Sequence, residues 1–133
     1  MAGLNFNLQY TPILSIKMVI IGYVLYILGQ ALNYLSKKTN AFFFFNVRVD
    51  KNQKVCQKGI YSVIRHPGYL GQIISTIATP FVLGNIYLFF PIVLQIVFLV
   101  IRTHMEDQFL QRELIGYSEY VKTTKFRLLP FLY

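Results

Sequence analysis

The sequence lacks several features on which common folds and active sites depend. It has no tryptophan and a single cysteine, Cys56, which excludes an internal disulfide. No Cys-x-x-Cys pair and no His/Cys cluster is present, so the sequence predicts no metal site. Gly-rich phosphate loops are missing, and Ser62 is not flanked by the glycines of a nucleophile elbow. P-loop nucleotide chemistry and serine hydrolysis are therefore disfavoured.

Charged residues are scarce, and acidic ones scarcest of all. Charged residues make up 14% of the chain, against about a quarter in ordinary soluble domains. Five acidic residues stand against 13 basic ones, which gives a net charge of +8. The basic residues flank apolar runs, so we expect anionic lipid headgroups rather than nucleic acid as their partners.

Hydrophobic residues amount to 55% of the chain and collect in three runs. The run 13–35 carries one charge, Lys17, and is long enough to cross the hydrocarbon core of about 30 Å. The runs 68–83 and 86–101 are shorter and are separated by a Gly84-Asn85 turn signal. These runs predict an all-α polytopic membrane protein with about three transmembrane helices and a cytosolic or interfacial C-terminal helix and tail.

The distribution of basic residues predicts the orientation. Seven lie between positions 36 and 65, five follow position 101, and the Gly84-Asn85 turn has none. The positive-inside rule therefore places the segments 40–67 and 102–130 in the cytosol and the N-terminus outside. Since both segments lie on one face of the lipid bilayer, we expect a single membrane domain with one cytosol-facing site.

Two groups of polar residues stand where these segments meet the apolar runs. Arg102 and Glu106 are four residues apart on a predicted helix. Their spacing fits an ordinary surface ion pair, and it equally fits a clamp for a zwitterion. Arg65-His66-Pro67 opens a helix, where it serves either as a headgroup anchor or as a mouth that binds the polar part of a ligand.

Three blocks of residues resemble the isoprenylcysteine carboxyl methyltransferase family and its bacterial relatives, and more distantly the phospholipid methyltransferases. The first block covers 40–48. The second covers 55–71 and contains G-x-Y-x-x-x-R-H-P-x-Y-x-G. The third covers 102–130 and contains R-x-x-x-E-D, G-Y-x-E-Y and R-L-L-P. The likeness covers almost the whole chain from Leu28 onward.

The resemblance implies methyl transfer from S-adenosylmethionine in a membrane-embedded site that is not a Rossmann fold. Matched by position, Arg102 lies at the acceptor, as the catalytic and substrate-binding residue. The residues implied to bind the cofactor are Asn46, Gln53, Lys54, Val55, Cys56, Tyr61, His66, Pro67, Gly68, Tyr69 and Glu106.

Departures from the family pattern leave the acceptor open. Gln53-Lys54 and Cys56-Gln57 stand where relatives often have histidine, valine and threonine, and Asp107 replaces a second glutamate. The acceptor is a carboxylate such as a prenylcysteine, or another small or lipidic molecule. With three spans, the acceptor wall is either incomplete or completed by a second copy of the chain in a homo-oligomer. The alternative class is a non-enzymatic membrane scaffold or a transporter-like subunit with a decayed site.

Overall fold

The structure, a computed structural model, describes residues 15–40, 49 and 52–130, and the regular secondary structure of these residues is helical. No strand occurs in this part of the chain beyond an isolated parallel bridge between Ile64 and Phe126. The all-α prediction is therefore confirmed for the described residues. In chain order the helices are α1 (Ile16–Thr39), α2 (Pro67–Leu83), α3 (Phe89–Glu113) and α4 (Tyr117–Thr123), with 3₁₀ turns at Gly59–Ser62 and Ile86–Leu88.

Helix α1 ends four residues later than the predicted limit of 35. Ser15 precedes it, and the Ser15 carbonyl accepts hydrogen bonds from the amides of Met18 and Val19. Lys37 and Lys38 occupy its last turn. Basic side chains are favoured there because they face the negative end of the helix dipole, so the two lysines extend the helix rather than end it.

Helix α2 begins at Pro67, where the missing proline N–H needs no partner, and it continues through Pro80. Gly84 ends it with φ 64°, a left-handed conformation that glycine adopts without strain. With 17 residues, α2 is about 25 Å long and slightly short for a full crossing. Within the described residues, two helical stretches, Ile16–Thr39 and Ile86–Glu113, are long and apolar enough to span a bilayer. The third span stays a prediction.

Helix α3 continues well beyond position 101, the predicted end of its apolar run. Pro91 lies in its first turn, where a missing N–H is tolerated, and no breaker occurs before Glu113. Arg102 to Glu113 therefore forms a straight extension of the apolar helix into the polar zone. Gly116, with φ 86°, joins α3 to the short helix α4.

Helices α1 and α2 approach closely through small residues. Gly22, Gly29 and Ser36 recur every seven positions on α1 and are all buried. A Cβ placed on Gly71 of α2 would lie 2.6 Å from the carbonyl oxygen of Gly29, so the two backbones touch. Small residues permit this close contact. In lipid, where the hydrophobic effect does not drive helices together, dispersion and hydrogen bonds at such contacts stabilise the helix pair.

Large apolar side chains cover the outer surfaces of α1 and α3. Ile27 on α1 and Phe98 on α3 are 63% and 60% exposed, respectively. Contiguous exposed apolar surface on this scale is unfavourable in water and marks a face that contacts lipid or protein. The fold therefore presents its hydrophobic surface outward, as expected for a protein that resides in a bilayer.

We predict that Gly71→Ala destabilises the α1–α2 pair, because the added methyl group forces two backbones apart. Overpacking of this kind costs about 1–3 kcal/mol. In detergent, the thermal midpoint can be followed by the labelling of Cys56, which is half-buried and is the chain's one thiol. We expect the midpoint to fall by several degrees. Ala31→Val, on the exposed side of α1, is the matched control; equal midpoints for both variants would contradict the close approach.

Candidate functional site

At the polar end of the helix bundle, one hydroxyl group links α2 to α3. Tyr69, in the first turn of α2, donates a hydrogen bond from its hydroxyl to Oε2 of Glu106, with an O–O distance of 2.6 Å. The same oxygen accepts a hydrogen bond from Nε of Arg102 at 2.9 Å. All three residues are partly exposed, and the guanidinium carbon of Arg102 lies 6.0 Å from the centre of the Tyr69 ring. A cation, a hydroxyl and a carboxylate thus line one side of the helix pair.

Beside this group lies a fully buried carboxylate, Asp107, which is saturated with donors. Consecutive helical residues point about 100° apart, so Asp107 faces the protein interior while Glu106 faces the site. Its partners come from four different segments. They are Arg65 (3.2 Å) and His66 (3.2 Å) before α2, Gln111 (3.0 Å) on α3, Tyr117 (2.9 Å) on α4 and Arg127 (3.1 Å) in the tail.

His66 caps the N-terminal end of α2, and its side chain points at Asp107. Its Nε2 lies 3.2 Å from Oδ1 of Asp107 and 3.4 Å from the hydroxyl of Tyr117. The imidazole is buried, and its ring centre lies 6.0 Å from that of Tyr69. Because Nε2 is engaged by Asp107, His66 holds the start of α2 in place, and only the rest of the ring remains for a ligand.

The C-terminal tail packs against the segment that leads into α2. The amides of Arg65 and His66 donate hydrogen bonds to the carbonyls of Phe126 and Arg127, each at 2.9 Å. Arg65 also donates from its side chain to the carbonyl of Lys125 at 3.4 Å. The tail therefore fixes the backbone of the Arg-His-Pro motif from the side opposite the helix.

Tyr61 and Cys56 connect the loop before α2 to the C-terminal end of α1. The Tyr61 hydroxyl donates to the carbonyl of Ser36 at 3.4 Å, and the Cys56 thiol donates to the carbonyl of Thr39 at 3.5 Å. Burial is the main cause that raises the pKa of Tyr61 to about 12, so the phenol stays protonated at neutral pH. The phenol is therefore a neutral, buried link between this loop and α1.

Tyr120 supports this arrangement from α4. Its hydroxyl donates to the carbonyl of Tyr61 at 2.5 Å, and burial raises the pKa of Tyr120 above its ordinary value. Its ring meets that of Tyr117 edge to face, with 5.4 Å between the ring centres. The two tyrosines and Leu114 form the buried cluster beneath the site.

The structure brings together only part of the predicted cofactor set. Tyr69, Glu106 and Arg102 are in direct hydrogen-bond contact, and Pro67 and Gly68 form the buried first turn beneath them. Val55 packs against the cluster of Leu114, Tyr117 and Tyr120, and its place at the cofactor stays a prediction. Gln53 is partly exposed and Lys54 is exposed. Asn46 lies outside the described residues.

Sequence reasoning missed the residues that hold the site together. Asp107 was read as an altered second acid, and Tyr117 and Arg127 were seen only as parts of motifs. One signal was available, namely that Asp107 follows Glu106 directly and that both precede a tail with four basic residues. Nothing in the spacing shows which of two adjacent acids is buried, because that depends on how α3 is rotated against α2.

We predict that Asp107→Asn strongly destabilises the protein. The asparagine keeps the shape but leaves the buried Arg65 and the half-buried Arg127 beside it without a carboxylate. Removing one partner of a buried ion pair costs about 3–5 kcal/mol, which thermal unfolding in detergent measures. Glu113→Gln removes an exposed acid from the same helix and should shift stability by less than about 0.5 kcal/mol. Equal effects of the two changes would contradict the role of Asp107 as the buried anchor.

Comparison with known proteins assigns the family. A search of curated proteins finds no match. A family model described as phospholipid methyltransferase matches residues 17–115, which include α1, α2, α3, the Arg-His-Pro motif and the Tyr69–Arg102–Glu106 group. This confirms the predicted methyltransferase relationship at the level of the family, while the isoprenylcysteine type stays a prediction. The match covers well over half of the chain, and the protein belongs to the phospholipid methyltransferase family.

Proposed function

We propose that this protein is a membrane enzyme that transfers a methyl group from S-adenosylmethionine to a small or lipidic acceptor, at a site facing the cytosol. The family assignment supports a methyltransferase acting on membrane-associated substrates. The observation that carries the proposal is the Tyr69 hydroxyl, which bonds both Arg102 and Glu106 at the polar end of the apolar helices. A purely structural scaffold would not require this partly exposed group.

The residues present fit the chemistry of the cofactor. S-adenosylmethionine carries an ammonium, a carboxylate and a sulfonium. Glu106 offers a carboxylate for the ammonium, and the partly exposed aromatic ring of Tyr69 is suited to a cation. When bound, the cofactor supplies its methyl group to the acceptor's lone pair while the bond from carbon to sulfur breaks and its electrons pass to sulfur.

Arg102 has the properties expected at the acceptor. Its guanidinium is always charged and forms two-point contacts with carboxylate or phosphate oxygens. Nε is held by the Tyr69 hydroxyl, so the orientation of the guanidinium plane is set before a substrate arrives. Orientation of this kind reduces the entropy lost on reaching the reactive geometry, which contributes up to about 7–11 kcal/mol in well-aligned systems.

The guanidinium of Arg102 suits an acceptor that carries either a carboxylate or a phosphate group. A carboxylate acceptor, as in a prenylated cysteine, needs no general base because it is already an anion. An amine acceptor is a cation at neutral pH and must lose a proton before it accepts the methyl group. Within this proposal, the acceptor is a prenylcysteine-like carboxylate or the amine of a phospholipid.

Replacement of Glu106 tests the cofactor site. We expect Glu106→Gln to weaken binding of S-adenosylhomocysteine by at least about tenfold, because a charged hydrogen bond contributes about 1.5–3 kcal/mol. Isothermal titration in detergent measures the dissociation constant, and the thermal midpoint shows whether the variant is folded. The control is Glu119→Gln, an exposed acid that pairs with Lys122 on α4. Unchanged affinity in a folded Glu106→Gln variant would overturn the site, and absence of binding by the wild type would favour a non-enzymatic scaffold.

Replacement of Arg102 tests the acceptor side. We expect Arg102→Lys to raise the acceptor KM by at least about tenfold, since lysine keeps the charge but loses the planar two-point contact. Binding of S-adenosylhomocysteine should change by less than about threefold. Turnover with a prenylated cysteine, a small thiol and phosphatidylethanolamine gives the KM values, with Arg112→Lys on the exposed end of α3 as control. If the variant has an unchanged KM for every accepted substrate, Arg102 does not contact the acceptor.

A further inference from the structure

Arg102 and Glu106 are four residues apart on α3, the spacing at which opposite charges on a helix usually form an ion pair. In the structure, no ion pair joins them directly. The Glu106 carboxylate pairs with no cation in the part of the chain that the structure describes, and its one hydrogen bond there comes from the Tyr69 hydroxyl. A side chain from α2 therefore separates two opposite charges on α3.

The hydroxyl oxygen of Tyr69 contacts both charged groups at once. It donates to Oε2 of Glu106 at 2.6 Å and accepts from Nε of Arg102 at 2.9 Å. A hydroxyl has one hydrogen to donate and lone pairs with which to accept. Here the hydrogen goes to the anion and a lone pair goes to the cation. Tyr69 therefore stabilises both charges while it holds them apart.

The separation leaves part of the Glu106 carboxylate available to a ligand. Its second oxygen, Oε1, accepts no hydrogen bond from any described residue, and it is open to solvent. A guanidinium that paired directly with this carboxylate would engage both of its oxygens. An incoming ammonium would then have to break that ion pair before it could bind.

Without the hydroxyl, direct pairing of Arg102 with Glu106 is favoured. Side chains at this spacing start about 5–6 Å apart at their Cβ atoms, well within the reach of an arginine and a glutamate. Both side chains are also partly shielded from water. A phenyl ring in place of the phenol offers the carboxylate no donor, so Arg102 becomes the nearest group that satisfies it.

We propose that the Tyr69 hydroxyl acts as a spacer, which prevents a direct ion pair between Arg102 and Glu106 and so keeps both charges available to ligands. This is a positioning role, separate from any contact between the tyrosine and a ligand. The inference rests on the proposed function for the identity of the ligands, which are an ammonium at Glu106 and an anion at Arg102. The arrangement lets one short stretch of α3 present two opposite charges that do not neutralise each other.

Tyr69→Phe tests the spacer through binding of S-adenosylhomocysteine to the purified full chain, measured by isothermal titration in detergent. We expect the dissociation constant to rise about tenfold, because Arg102 then competes with the ligand's ammonium for Glu106. Adding Arg102→Gln to this variant should restore the affinity to within about threefold of the wild type, since glutamine forms no ion pair. In a chain that keeps Tyr69, Arg102→Gln alone should change the affinity by less than about threefold.

Two matched variants serve as controls. Tyr87→Phe removes the hydroxyl of an exposed tyrosine at the other end of the helices and should leave the affinity unchanged. Arg112→Gln removes an exposed arginine from α3 and should not restore binding in the Tyr69→Phe chain.

Three results of the titrations would overturn the inference. The first is an unchanged affinity in Tyr69→Phe. The second is a loss that Arg102→Gln does not restore, which would mean that the hydroxyl contacts the ligand or supports the fold. The third is an equal effect of Arg102→Gln with and without the Tyr69 hydroxyl, because the two side chains would then act independently.

Unfolding of the ligand-free protein separates this inference from the proposed function. Thermal unfolding of the single and double Arg102→Gln and Glu106→Gln variants gives the coupling between the two charges. We expect this coupling to be larger in the Tyr69→Phe background, because the charges then pair directly. An equal or smaller coupling overturns the spacer even if S-adenosylhomocysteine binds. A larger coupling in a protein that binds no S-adenosylhomocysteine overturns only the proposed function.

Discussion

The buried carboxylate of Asp107 is the interaction on which the polar half of the molecule depends. It accepts from, or pairs with, side chains before α2, on α3, on α4 and in the tail, so four stretches of chain converge on two oxygen atoms. A carboxylate taken out of water is costly unless its charge and lone pairs are satisfied, and here three cationic or imidazole groups and two neutral donors satisfy them. Without Asp107, Arg65 and His66 would be buried beside no anion, and the motif that opens α2 would lose its fixed position.

The close packing of α1 on α2 is the second constraint, and it acts from the opposite end of the motif. Because glycines let the two backbones touch, the C-terminal turn of α1 lies near the loop before α2. Tyr61 and Cys56 then reach the carbonyls of Ser36 and Thr39. The Arg-His-Pro segment is therefore held between the tail on one side and α1 on the other. Only its exposed edge, with Tyr69, remains for ligands.

Much of this arrangement follows from features visible in the sequence. The apolar runs, Pro67, the Gly84-Asn85 turn and the absence of a breaker after Arg102 predicted the helices to within a few residues. The end of α1 was wrong because Lys37 and Lys38 prolong the helix instead of ending it. The packing of Val55 against the cluster of Leu114, Tyr117 and Tyr120 was not foreseen from the sequence. Burial of this kind depends on tertiary packing, which local patterns do not contain.

The two adjacent acids show why motif positions alone do not assign roles. Glu106 and Asp107 are neighbours in one sequence motif. Because consecutive helical residues are rotated by about 100°, their side chains point in different directions and make different contacts. Glu106 meets the half-exposed Tyr69 and Arg102, whereas Asp107 meets the buried Arg65, His66 and Tyr117. The anchor must be short and rigid, since its oxygens are already surrounded by donors from four segments. The shorter aspartate suits this position, and the longer glutamate suits the edge of an open site. An aspartate at position 107 is therefore consistent with a structural anchor lying directly beside the partly exposed Glu106.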